Sequence, residues 1–233
     1  MRHLSLISAL ATLAFLAACN QNPSSDGQFA NGVETDPNHY AVEFENEYVR
    51  VIRVKYSPGD VSTMHSHNPL LAVSLTGGLG EFTSPDGAVD VRPALEPGMI
   101  LADAGDPHSV KSIYESDEEH VFVEAKAPYP KQAYIYPNAI DLGDEAKVEL
   151  EQFGLRAIRN RTAPGSQTPL HSHRPGVQVF LTDAVIEVTL PSGEVLVSET
   201  KAGTARWVEK SEHAGRNLSD LPLEYVRFEL DEI

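Results

Sequence analysis

Cysteine occurs once in the 233 residues, at Cys19, so the chain cannot close an internal disulfide and must draw stability from core burial or metal. Positive charge is scarce. Lysine and arginine number 18 against 34 aspartates and glutamates, a net charge of −16. Such a surface disfavours nucleic acid and anionic lipid head groups. Helical periodicity is nearly missing, which argues against a helical fold. The apolar run from Leu4 to Ala18 is too short and wrongly flanked to span a bilayer. No nucleophile triad, phosphate loop or nucleotide fingerprint is present.

What the chain does contain is a repeated histidine pattern. His65-Ser66-His67 and His171-Ser172-His173 each follow a Pro-Gly pair, Pro58-Gly59 and Pro164-Gly165. Each triplet is followed by a further histidine, His108 or His213. Two histidines one residue apart point to one side of a strand. Imidazole is a common metal ligand, and a third ring from a later strand completes three-point capture of one ion.

The histidines are part of a larger duplication. A shift of 106 residues lays Val49–Arg53 on Leu155–Arg159 and Pro85-Asp86-Gly87 on Pro191-Ser192-Gly193. A shift of 105 lays Gly98 on Gly203, His108 on His213 and Val121–Glu124 on Val226–Glu229. One unit of roughly 85 residues therefore occurs twice. Val49 to Lys55 alternates apolar with polar or basic residues, as a half-buried strand does. Val185 to Leu190 alternates and breaks at Pro191-Ser192-Gly193, as a hairpin would. Many short strands with Gly and Pro turns predict an all-β protein, with a jelly roll or small barrel in each half.

The spacing Gly-x5-His-x-His, followed by Gly-x9-His, resembles the two motifs of the cupin superfamily, and two such units resemble a bicupin. The resemblance covers about residues 42–126 and 149–231. It lands on Gly59, His65, His67, Gly78, Gly98, Gly105 and His108, then on Gly165, His171, His173, Gly203, His213 and Asn217. It implies two tandem cupin-type jelly rolls, residues 39–127 and 149–233, joined by a linker at 128–148. It also implies a divalent transition metal (Fe, Mn, Zn, Ni or Cu) on each histidine trio. The chain departs from the family pattern where a glutamate usually follows the second histidine. Leu71 or Ala72 stands there in the first unit and Val177 or Gln178 in the second. The second-motif proline is replaced by Asp103 and Val208, and the Gly-to-His interval is one residue short in both copies. A site of three neutral histidines resembles the thiol, gentisate and diketone dioxygenases of the cupin type. Gln178 is a candidate neutral ligand or partner of a metal-bound water; the other reading is a polar residue at the barrel mouth.

The N-terminal end resembles a bacterial lipoprotein signal. Residues 1–18 form a positive start and an apolar run ending Leu16-Ala17-Ala18-Cys19, like a lipobox. The resemblance implies cleavage before Cys19, lipid on that residue and attachment to the cell envelope. Asn20 favours the outer membrane. Cleavage removes one cation, Arg2, from the 18 and no carboxylate from the 34, leaving a net charge of −17. Residues 19–38 are polar and read as a flexible tether. The remaining side chains have quieter readings. His39 and His120 are expected on the surface, and Glu124 and Glu229 towards solvent, opposite the inward Val123 and Phe228. Trp207 is expected as core filler, and Arg174, Arg206 and Lys210 as solvated cations that could otherwise attract an anion.

These readings predict an envelope-anchored metal-binding protein with a small-molecule ligand. The leading activity is a metal-dependent oxygenase; the alternative is a non-catalytic binder of metal or small ligand. A homodimer is the remaining partner expectation, although the duplication could meet that need within one chain.

Overall fold

The computed structural model describes residues 29–126 and 146–230. One helical turn, α1 (Gly32–Thr35), precedes β1 (Tyr40–Glu45), β2 (Val49–Tyr56), β3 (Leu70–Ser74), β4 (Gly80–Thr83), β5 (Val89–Val91), β6 (Ile100–Asp103), β7 (Ser109–Ser112) and β8 (Glu118–Ala125). The second half comprises β9 (Ala146–Gln152), β10 (Leu155–Thr162), β11 (Gln167–His173), β12 (Gly176–Phe180), β13 (Ala184–Thr189), β14 (Val195–Thr200), β15 (Ala205–Val208), β16 (Ser211–Asn217) and β17 (Leu223–Leu230). No helix among the described residues is long and apolar enough to cross a membrane. Cys19 and most of the 128–148 linker lie outside the described residues.

Each half is a cup of two sheets. The first pairs in the order β1-β2-β8-β3-β6 beside β5-β4-β7, the second as β15-β12-β17-β10-β9 beside β11-β16-β13-β14. The duplication holds residue by residue. Val49 opposes Ala125 across β2 and β8, and Leu155 opposes Leu230 across β10 and β17. The hairpin expected at Pro191-Ser192-Gly193 is present between β13 and β14. The β9–β10 hairpin turns on Phe153 and Gly154 alone, both at positive φ (54° and 75°), as the tightest strand-matching turn requires.

The five-stranded sheets meet face to face. Val49, Val51, Leu71, Val73, Val121 and Val123 of one cup pack with Leu155, Ala157, Val177, Val179, Val226 and Phe228 of the other in one core. Each of the valine, leucine and phenylalanine side chains contributes about 1.5–3 kcal/mol by leaving water. Two arginines tie the rims of this interface. Arg53 donates to the Gly203 carbonyl while pairing with Glu43 and Glu119. Its counterpart Arg159 donates to the Gly98 carbonyl while pairing with Glu149 and Glu224. Smaller apolar clusters fill each cup, around Tyr40, Ile52, Val54 and Tyr56 in the first and Phe180, Ile186 and Leu223 in the second.

This packing corrects the expected strand faces. Val123 and Phe228 do point inward, but into the core shared by the two cups. The opposite faces of β8 and β17 line the cup interiors and are buried too, so His120, Glu124 and Glu229 are buried and not at the surface. His39 is half-buried, stacked 4.4 Å from the Tyr56 ring, with Nδ1 2.9 Å from Asp36. Residues 29–36, read as tether, form an ordered arm. Gly32 N–H donates to Ser66 O, Ser66 N–H to Ala30 O and the Ser66 hydroxyl to Phe29 O. The arm had no periodicity to betray it, because its order comes from contacts with the distant His65-Ser66-His67 segment. Trp207 packs against the shared core, its ring stacked 5.8 Å from Tyr48.

Candidate metal centre

In the C-terminal cup the end of β11 lies beside β16, with His171 opposite His213. Residue spacing places His171 and His173 on the same side of β11, as the sequence pattern requires. Their ring centroids lie 4.6 Å apart, and those to His213 are 4.9 and 5.2 Å. One donor nitrogen from each ring lies within 4.8 Å of the others, and this is the one such group among the described residues.

Hydrogen bonds behind the rings decide where their lone pairs point. His171 Nδ1 lies 2.7 Å from the Pro169 carbonyl, which can only accept, so Nδ1 carries the proton. His173 Nδ1 lies 3.2 Å from Glu229 Oε1 and is protonated for the same reason. Both Nε2 atoms are thereby left as bare lone pairs, and they face one another at 2.8 Å. Two lone pairs so placed repel unless a proton or cation lies between them. Burial holds His173 at a pKa of about 4, against the pull of Glu229, and holds His213 at about 3. Both rings are neutral at pH 7, the form that ligates a metal. The donor set therefore fits a divalent transition metal.

Glu229 anchors this arrangement. Burial raises its pKa, but His173, Arg227 and Arg156 outweigh that and hold it ionised below the usual range. Arg227 Nε lies 3.1 Å from the same oxygen, and its Nη2 donates to the Arg174 carbonyl. Sequence reasoning missed Glu229 as a group supporting the site. Its parity with Arg227 and Tyr225 on β17 was the available signal.

The cup encloses a cavity of about 230 Å³ whose lining includes His171, His213, Gln178, Arg206, Tyr225 and Arg227. Gln178 points into it, with its carbonyl oxygen accepting two bonds from Arg206, at 2.9 and 3.1 Å. Arg206 also sits 4.9 Å over the Phe180 ring. It is a cavity-lining cation and not the solvated one expected. No carboxylate lines this cavity among the described residues.

The N-terminal trio is disposed differently. His65 pairs with His108 across an isolated bridge, and their ring centroids are 4.8 Å apart. His67 stands 6.2 Å from His65, and the three are not gathered as the C-terminal three are. His67 Nδ1 faces the Asn68 carbonyl at 3.0 Å, and Nε2 faces Asp103 at 3.6 Å. The carboxylate equivalent to Glu229 is Glu124, and it is already engaged. It accepts from Asn31 Nδ2 and Asn68 N–H, both at 3.2 Å, and lies 3.6 Å from Arg50. The arm thus takes the partner that would orient His67. The expected equivalence of the two trios does not extend to their geometry.

No protein-family model matches the chain, and no curated protein sequence does. Solved structures of oxalate decarboxylase match it in fold. One covers 80% of this chain and 70% of its own at 15% identity, with a TM-score of 0.56. Another, from Bacillus subtilis, covers 81% and 70% at 14% identity, also with a TM-score of 0.56. A cupin domain from Bordetella pertussis Tohama I aligns with 38% of this chain and 92% of its own, at 26% identity and a TM-score of 0.35. The chain has the bicupin fold.

Proposed function

We propose that the C-terminal cup holds one divalent transition metal through His171, His173 and His213 and binds a small anionic chelating molecule beside it. The facing Nε2 lone pairs at 2.8 Å, with both Nδ1 atoms committed elsewhere, carry this reading. A bound metal would supply Lewis acidity and a template for ligand oxygens. The chain's own residues supply the rest. Arg206 is half withdrawn from water and braced by Gln178 and Phe180, so its guanidinium can meet a carboxylate in a poorly screened setting. Arg227 holds Glu229, and through it the His173 ring. In a protein of net charge −16, these arginines give the cavity a sign opposite to that of the surface.

The activity tested first is an oxygenase reaction on such a ligand. A non-catalytic binder is the second reading, and the lack of a carboxylate lining the cavity among the described residues favours it, since none of them is placed there to move a proton. The Bacillus subtilis oxalate decarboxylase carries Mn(II) centres. Manganese and oxalate therefore join iron, catechols, diketones and thiols in the panel. The expected result is one metal per chain by elemental analysis, and anion binding weakened about tenfold or more in Arg206→Ala with metal content unchanged. Oxygen uptake or product formation identifies an enzyme; saturable binding without turnover identifies the binder. Metal absent from protein grown with abundant transition ions would overturn both.

Anchoring to the envelope, with the outer membrane favoured, rests on the Leu16-Ala17-Ala18-Cys19 segment. Labelled palmitate should enter the wild-type chain and not Cys19→Ala. Equal labelling of the two would refute it.

A further inference from the structure

The N-terminal cup encloses its own cavity, of about 290 Å³, close to the lower size of small-molecule pockets. Phe82, Phe122, Leu101, Met99, Val54 and Val110 supply much of its wall. Its polar groups are mostly satisfied by one another. The Tyr40 and Tyr56 hydroxyls are bonded at 2.6 Å. Arg92 pairs with Asp103 at 2.7 Å while lying over the Phe82 ring.

His67 and His108 also line it, each bonded through Nδ1 to a backbone carbonyl, and Glu118 is the carboxylate left without a cationic partner. It is 7% exposed, lines the cavity, and pairs with no lysine or arginine among the described residues. The Ser112 hydroxyl donates a short bond to its Oε1, and His120 Nε2 lies 3.4 Å from its Oε2. His120 Nδ1 is buried without a partner, so the proton of the neutral ring sits on Nε2, towards the carboxylate. Gly78 leaves the space that this pair occupies. A Cβ there would overlap Glu118 Oε2 and come within 3.0 Å of His120 Cε1. A carboxylate with one hydroxyl donor and one long imidazole contact, set in an apolar wall, still has acceptor capacity to fill. A donor-headed ligand fills it, whereas an anion meets like charge. The equivalent positions in the other cup hold Leu223 and Tyr225, so the feature belongs to this cup alone.

We propose that the N-terminal cup is a metal-independent site for a small apolar molecule with one hydrogen-bond-donating head, an alcohol, phenol or amine. Glu118 and His120 read the head, and the wall of Phe82, Phe122 and Leu101 takes the body. The proposal is separate from the metal reading of the C-terminal cup.

Calorimetric titration of the full chain in excess chelator tests it, with 4-ethylphenol, 2-phenylethylamine and the size-matched anion phenylacetate as probes. At least one donor-headed probe should bind with Kd below about 1 mM, and phenylacetate about tenfold more weakly or not at all. Glu118→Gln, which keeps the shape, should weaken that binding about tenfold or more. Phe122→Trp, which fills the cavity and leaves Glu118 in place, should abolish it, and so serves if Glu118→Gln does not fold. The proposal is overturned if no donor-headed probe binds, if binding appears only when the chelator is left out, if phenylacetate binds as tightly, or if neither folded variant affects it.

Discussion

The two cups share a scaffold and differ in what they enclose. At positions that the duplication makes equivalent, Ala72, Leu101, His120 and Phe122 face the first interior, while Gln178, Arg206, Tyr225 and Arg227 face the second. On the other face of the same strands both cups place apolar residues, Leu71 and Val123 against Val177 and Phe228. The difference follows from what each face must do. The sheet-to-sheet face is close-packed against its counterpart, where polarity or misfit costs stability. The interior face borders a cavity and is free to carry either an apolar wall or arginines.

The histidine trios differ for a similar reason. Both halves have three rings and a buried glutamate. In the second, Glu229 is bonded to His173; in the first, Glu124 is bonded to Asn31 and Asn68. A metal site depends on the groups that aim its ligands as well as on the ligands.

The strongest way to break this comparison is to remove ligands from each cup in turn. His171→Ala or His213→Ala should lower metal affinity by about a hundredfold or more, and His65→Ala or His108→Ala should leave it within about threefold. Zinc or manganese titration followed by elemental analysis reads the outcome; equal losses from both trios would make the cups equivalent after all. Next comes the supporting carboxylate. Glu229→Gln should cost about 10- to 100-fold in metal affinity, while Glu124→Gln should leave metal binding alone and loosen the arm, seen as faster amide exchange at Ser66.

The smallest effect concerns the tyrosine pair of the first cup. Burial raises the Tyr40 pKa well above 10 and that of Tyr56 to about 12. Above pH 10 the unfolded chain releases these phenolic protons while the folded chain keeps them. Their contribution is thus complete below pH 10 and is lost as pH rises through about 12. Replacing both residues with Phe should flatten the fall of Tm between pH 10 and 12. An unchanged slope would show that the pair is not buried as described.

Much was legible beforehand. The alternation from Val49 to Lys55, the Pro-Gly and Ser-Gly turns and the offsets of 106 and 105 residues led to two β-cups in the right register. The three histidines of each half also lie in one cup. Strand parity separated His120 from Val121 and put Val121 inward correctly, but it left the His120 side in solvent although that side is buried too. Period-two alternation tells two faces apart without telling which one meets solvent. The arm at residues 29–36 was illegible because its partners, Ser66 and Glu124, are remote in the chain.

The amino-acid order by itself determined the strands, their duplication and the bringing of three imidazoles to each cup, since all of these follow from local spacing and repeated pattern. Only the tertiary structure decided that the apolar faces would be joined to one another, that Glu229 would aim a ring and Glu124 would hold an arm, and that one interior would be cationic and the other oily. Those outcomes depend on contacts between residues tens of positions apart, whose geometry exists only once the sheets have packed.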